Sequence, residues 1–299
     1  MKVGKFIAWA VLALADVAIA ICCGKYFPAV APLFWYGLGL LSPRLRHSLE
    51  DLFDTANWKI SQRKLQRGKL IDKNTLIRIS FAYLFRIKVG NKYLLVKNAR
   101  GTGKYQPVGG VYKFRGAEKE ALRNLFQIVD DDKIDIDDSS RDDYRLRLKN
   151  RDLRKFVKRF DGRADRENIA DLSREFKEEV ACGPVAGWDR IEYRVCGRHI
   201  TKLQFSDHFQ IYELLLADVV DLLPTKKQED DLRSLVERCA SGKFRWATAE
   251  EIRSLGTDVA SGDLEASIAE HSKKILQETQ DELIQIRGVG SQYAVDLKY

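Results

Sequence analysis

The chain has 299 residues, enough for one to three domains at about 100–200 residues each. It is 45% hydrophobic, 10% aromatic and 31% charged, with 20 Gly and 6 Pro. These values exclude wholesale disorder, a collagen and a low-complexity linker protein. Fifty-one basic against 43 acidic residues give a net charge of +8, which points to an anionic partner: nucleic acid, nucleotide or anionic lipid. The five cysteines form no C-x-x-C pair, so free thiols in a reducing compartment are expected rather than a disulfide framework or a zinc ribbon.

In chain order, residues 6–23 are apolar except for Asp16 and are flanked by Lys2, Lys5 and Lys25. That is about the length that crosses a bilayer core. A second apolar run covers 26–41 and ends at Ser42 and Pro43. The expectation is a two-helix transmembrane hairpin over 1–46. A cleaved signal peptide is the alternative, disfavoured because the second run follows at once. Between 44 and 104 stand 15 Lys or Arg and four acids, against Lys25 alone in the turn. The positive-inside rule then places both termini in the cytoplasm, in a two-pass topology. Asp16 either faces a partner helix, which implies a homo-oligomer, or sits in the span by chance.

Leu49, Leu52, Phe53, Ala56 and Ile60 recur at helical spacing, and Lys59, Arg63, Lys64, Arg67, Lys69 and Lys73 follow. The reading for 47–73 is a basic juxtamembrane helix and linker against a lipid bilayer, with no specific DNA or RNA binding. From Ile77 to Ile87 apolar residues alternate with Arg78, Ser80, Arg86 and Lys88, the period of a strand. Gly90 and Asn91 make a turn, and 93–96 returns as a second strand. Residues 116–168 hold 14 basic and 14 acidic side chains, segregated into an acidic stretch at 130–138 and a basic one at 141–163. Leu153, Phe156, Val157 and Phe160 make a helical stripe within it. The basic stretch is either the solvated face of a packed helix or a lip over an anionic ligand.

Strand-like runs follow at 191–195, 199–205 and 209–220, then a helix at 229–239 with Leu232, Leu235 and Val236 inward. Thr248 with Glu251 reads as a capping box. A helix is expected at 267–284, and the tail to 299 gives no clear pattern.

The string R-E-F-K-E-E-V at 174–180 carries the chemistry. On a helix, Glu175, Glu178 and Glu179 share one face. Carboxylate oxygens grouped in this way suit Mg²⁺, which bridges to phosphates and activates water.

The string resembles the core of the Nudix box, G-x5-E-x7-R-E-U-x-E-E-x-G-U, with Arg174, Glu175, Phe176, Glu178 and Glu179 on R, E, U, E and E. Residues P-V-G-G at 107–110 resemble the segment that opens the box, and 244–252 resembles a late strand-to-helix passage. The chain departs from the pattern in three ways. About 50 residues are inserted between Gly110 and Arg174, Gly116 stands where a Glu is expected, and Cys182 replaces the last Gly. Gly162 and Glu167 offer a local substitute, each gap short by one residue.

The expected fold is α+β: the transmembrane hairpin read above, then the Nudix-like α/β/α sandwich that the resemblance implies at 74–256, with a charged insertion at about 116–168 and a C-terminal helix and tail at 257–299. It further implies Glu175, Glu178 and Glu179 as metal ligands and Mg²⁺ as cofactor; Arg78, Tyr83 and Arg86 of the first strand, with Arg174, are the expected ligand-binding residues, since a phosphate-rich ligand needs cationic donors. With the hairpin, the chain looks like the two-span Nudix-type effectors of bacterial cyclic-oligonucleotide anti-phage signalling (CBASS). That likeness implies an inner-membrane protein that binds a cyclic oligonucleotide second messenger and disrupts the bilayer in abortive infection. The degraded box leans away from catalysis. The alternative is a membrane-anchored, Mg²⁺-dependent hydrolase of nucleoside diphosphate derivatives.

Overall fold

The computed structural model describes residues 10–12, 14–19, 21, 25, 58–98, 102–134, 136–138, 140–162, 164–238, 242–257, 267–276 and 283–297. The chain divides into two compact units, Met1–Lys64 and Leu65–Tyr299.

The hairpin expectation is corrected here. Among the described residues no helix is long and apolar enough to cross a membrane. A span needs about 20 consecutive apolar residues. The described helical residues of the first run are 10–12, 14–19 and 21, and the second run, at 26–41, lies outside the described residues. The two-pass inner-membrane placement with cytoplasmic termini, the bilayer as partner and membrane disruption as output all rested on that hairpin and go with it. The juxtamembrane helix is described only from Trp58, as α1 (Trp58–Arg67); Leu49, Leu52, Phe53 and Ala56 lie outside the described residues.

The strands in chain order are β1 (Leu76–Arg86), β2 (Lys88–Val89), β3 (Lys92–Lys97), β4 (Tyr105–Gln106), β5 (Gly109–Val111), β6 (Val129–Asp130), β7 (Arg145–Lys149), β8 (Arg190–Ile200), β9 (Gln204–Ser206), β10 (Ile211–Leu222), β11 (Phe244–Thr248) and β12 (Gln292–Asp296). The helices after α1 are α2 (Glu118–Phe126), α3 (Leu153–Gly162), α4 (Ser173–Val180), α5 (Lys226–Arg238) and α6 (Ala249–Arg253).

The larger sheet runs β12-β8-β10-β1-β7-β6, and the smaller runs β11-β3-β2 with β4 beside β3. β1 lies inside the larger sheet of the second unit. It pairs in parallel with β10, from Ile77 opposite Tyr212 to Arg86 opposite Asp221. Its other edge is shared: residues 76–80 pair with β7, and 82–84 pair with β5. That division places the glycine segment of β5 at mid-strand.

Period two sorts β1 into two buried faces. Ile77, Ile79, Phe81, Tyr83 and Phe85 are all buried on one face. Phe81 stacks on Phe160 of α3 with ring centroids 3.7 Å apart, and Phe85 meets Phe176 of α4 edge-on at 5.6 Å. On the other face Leu84 and Ala217 join Leu95, Ala247, Ile252 and Ile275 in a second core, closed by the small sheet and the 3-10 helix Glu270–Leu276. The result is a mixed α/β sandwich, as the sequence implied for this part of the chain.

The insertion is part of this architecture. It supplies α2, β6, β7 and α3, and β7 extends the main sheet. Leu153, Phe156, Val157 and Phe160 are all buried, as their spacing predicts. Its charges satisfy one another: Arg159 meets Glu118 at 2.6 Å, Arg147 meets Asp132 at 2.8 Å and Lys119 meets Asp130 at 2.9 Å. Of the two readings of 141–163, the buried stripe fits the packed helix.

Thr248 and Glu251 form the expected capping box at α6. The helix expected at 267–284 is described only as the 3-10 helix Glu270–Leu276, and the tail holds an unforeseen strand, β12, which pairs with β8. Cys196 is a free thiol. Cys182 is disulfide-bonded, against the expectation of free thiols.

Candidate functional site

Two consecutive glycines decide how α4 approaches the sheet. Gly109 has φ +150°, and a Cβ there would lie 2.2 Å from the Tyr83 carbonyl oxygen. A Cβ on Gly110 would lie 1.9 Å from Glu175 Oε1. No other residue type lets the backbone of β5 sit against both β1 and a carboxylate of α4. The Gly109 N–H donates to Glu179 Oε2 at 2.9 Å, fixing the second carboxylate on the same strand.

Arg174 organises the rest. Its Nε and Nη2 donate to the two oxygens of Glu167 at 3.1 and 3.2 Å, in the forked geometry that suits guanidinium and carboxylate. Its Nη1 donates to Glu175 Oε1 at 2.6 Å, and Nη2 also reaches the Val111 carbonyl at 3.2 Å. The Tyr83 hydroxyl donates to Glu167 Oε1 at 3.3 Å and closes the network. Glu178 is 59% exposed and 3.7 Å from Arg174. Glu167 therefore anchors Arg174 from the far side of the insertion, at the position the sequence offered as a substitute.

The electrostatics follow from burial. Burial, with the charges of Glu175 and Glu178, pushes the Glu179 carboxyl up to about 8, although the Gly109 N–H and the Lys243 charge oppose this. Burial also raises the Glu175 pKa against the pull of Arg174 and Lys113. Burial and the Glu167 charge hold the Tyr83 hydroxyl above the usual phenol range. Burial disfavours the Arg174 cation, yet Tyr83, Glu167 and Glu175 around it keep its pKa above the ordinary value.

The structure thus brings together Tyr83, Arg174, Glu175 and Glu179, and leaves Glu178 at the rim. It does not bring in Arg78 or Arg86. Period two puts these two on the face of β1 opposite Tyr83. Arg78 is buried between Asp131 at 2.7 Å and Glu213 at 2.9 Å. Arg86 donates to the Ile275 carbonyl at 2.6 Å and pairs with Asp221 at 3.3 Å.

The three carboxylates expected to bind Mg²⁺ are drawn to different partners: Glu175 to Arg174, Glu179 to the backbone of β5 and Glu178 toward solvent. Among the described residues no group of three or more His, Cys, Asp or Glu side chains could hold a metal ion. As placed, they do not fit the ion.

Residues 76–276 match the family model described as "SMODS-associated NUDIX domain". Among solved structures, a NUDIX hydrolase from Nitrosomonas europaea is similar at 11% identity, covering 71% of this chain and 95% of that one, with a TM-score of 0.32. Shewanella oneidensis NrtR complexed with a 27mer DNA is similar at 10% identity over 69% of this chain and 60% of that one, TM-score 0.27. A UDP-X diphosphatase is similar at 11% identity over 94% and 98%, TM-score 0.26. No curated protein matches.

Proposed function

We propose that the chain, which belongs to the SMODS-associated NUDIX domain family, binds a phosphate-rich nucleotide beside Gly109, Gly110 and α4 and holds it intact. In this reading the domain receives the nucleotide signal of a cyclic-oligonucleotide system.

One observation carries the preference for binding over cleavage. Arg174 neutralises Glu175 at 2.6 Å while Glu179 accepts the Gly109 N–H at 2.9 Å, so both carboxylates are engaged by the domain itself. A second reading, hydrolysis of nucleoside diphosphate derivatives, is favoured by the complete R-E-F-x-E-E string and by two adjacent buried carboxyls with raised pKa values.

The test incubates the full chain with Mg²⁺ and a pool of cyclic oligonucleotides and nucleoside diphosphate derivatives. Mass spectrometry after dialysis identifies what remains bound. One cyclic species retained at unchanged mass supports the binding domain. A linearised or shortened product, lost in Glu179→Gln, overturns it in favour of the hydrolase.

A further inference from the structure

We infer that the cavity between the end of α3 and Glu167 is a binding site for a phosphate group, and that the Arg166 guanidinium holds it. The inference goes beyond the nucleotide reading and stands without it.

The cavity measures about 160 Å³, and Phe160, Asp161, Gly162, Arg166, Glu167 and Asn168 line it. The segment from Ala164 to Glu167 is fixed by backbone hydrogen bonds. The Ala164 N–H donates to the Arg159 carbonyl at 3.1 Å, the Arg115 N–H to the Asp165 carbonyl at 2.9 Å, and the Glu167 N–H to the Lys113 carbonyl at 2.9 Å. A ligand therefore meets a wall that is already ordered.

Arg166 is half-buried. Its guanidinium carbon lies 3.9 Å from the Phe160 ring centroid and 4.7 Å from that of Tyr112. Its Nε donates to the Phe160 carbonyl at 3.2 Å, covering the carbonyl end of α3, and its Nη1 donates to the Glu167 carbonyl at 2.8 Å. These contacts hold the guanidinium in place and use two of its five N–H groups. Among the described residues Arg166 forms no ion pair, whereas Arg159, Arg174 and Arg198 each lie against a carboxylate. The two carboxylates of the lining are matched by other cations: Asp161 by Arg198 and Glu167 by Arg174. Arg166 is the unmatched cation of the cavity. A guanidinium with open N–H groups suits phosphate, whose oxygens it can take two at a time.

Gly162 gives a second, independent observation. It is the last residue of α3 and is exposed. Glycine in a helix is destabilising relative to alanine. Gly162 lacks the positive φ of helix-terminating glycines, and an added Cβ would meet nothing within 4 Å. Neither the backbone nor the packing calls for glycine there, and its effect is to keep the cavity open beside Arg166. Glu167 joins the cavity to the α4 site, since it lines the one and accepts the forked pair from Arg174 in the other. The phosphate comes from one of two sources: a nucleotide held at α4, or free inorganic phosphate.

The test titrates the full chain with orthophosphate by calorimetry. The variants are Arg166→Gln, Gly162→Glu and Gly162→Ala, with Lys158→Gln, an exposed cation of the same helix, as control. Gly162→Glu sets a competing carboxylate at the cavity without removing any contact of Arg166, so the test stands even if Arg166→Gln fails to fold. Thermal unfolding reads the folding of each variant. The expected result is binding by wild type and a loss of about 10-fold or more in Arg166→Gln and Gly162→Glu. Gly162→Ala and Lys158→Gln stay within about 2-fold of wild type on the same scale. No binding by wild type, or undiminished binding by Gly162→Glu, overturns the site. Repeating the titration with the cyclic oligonucleotide pool present separates the sources. Competition assigns the cavity to a phosphate of the nucleotide, and undiminished orthophosphate binding assigns it to the free ion. The two readings also fail separately. Nucleotide retained by wild type and Gly162→Glu alike, with no orthophosphate bound, refutes the cavity alone. Orthophosphate binding lost in Gly162→Glu, with no nucleotide retained by wild type, refutes the nucleotide reading alone.

Discussion

Glu167→Gln probes the link between the insertion and the site. Glu167 is buried and accepts both a forked pair from Arg174 and the Tyr83 hydroxyl. Removing one partner of a buried ion pair costs about 3–5 kcal/mol. Two features reduce that here: Arg174 is 28% exposed and keeps Glu175 at 2.6 Å, and Gln retains one acceptor oxygen. A loss of about 1–3 kcal/mol is expected. Glu178→Gln is the matched control. It removes a carboxylate that is 59% exposed and 3.7 Å from the same arginine, worth about 0–0.5 kcal/mol. Urea denaturation of the full chain at neutral pH reads both. If the two variants lose the same stability within about 0.5 kcal/mol, Glu167 is not the anchor of Arg174 and the account of how the interrupted box closes is wrong.

Gly110→Ala places a Cβ against the movable end of Glu175, so it costs about 1 kcal/mol of stability while weakening nucleotide retention by displacing that carboxylate. Gly109→Ala meets the Tyr83 backbone instead, and denaturation should show a loss of about 3 kcal/mol or more. Phe160→Ala removes the ring stacked on Phe81; a loss of about 3–5 kcal/mol in the same assay shows that the insertion is core, and a loss under about 1 kcal/mol makes it an appendage. Burial, helped by the Lys274 charge, lowers the His271 pKa from 6.5 to about 4. Folding therefore favours its neutral form: the contribution is complete above about pH 6.5 and is lost as pH falls toward 4. Stability measured across that window should decline less steeply in His271→Gln than in wild type.

What could be read from the sequence was what depends on local periodicity. The alternation of β1, the buried stripe of α3, the carboxylate-bearing α4 and the Thr248 capping box each lie within a single element. β7 was missed because its alternation, R-L-R-L-K, is embedded in a highly charged stretch whose neutralising partners lie elsewhere in the insertion. β12 was missed because its pairing to β8 is long-range. The placement of Arg78 and Arg86 beside Tyr83 failed on strand geometry: positions of opposite parity face opposite layers. Glu167 was visible as an off-register candidate, but only the fold shows that Arg174 reaches it. The apolar N-terminal runs gave the clearest local signal and the reading that failed: hydropathy over 6–41 implied a hairpin, and no described helix has the length to span a membrane.

Hydrogen exchange on the full chain, with and without the nucleotide it retains, tests the central claim most directly. The account predicts slowed exchange on binding at 109–111 and 173–180, where β5 meets α4. Protection confined to the insertion at 118–162, with these two segments unchanged, contradicts it.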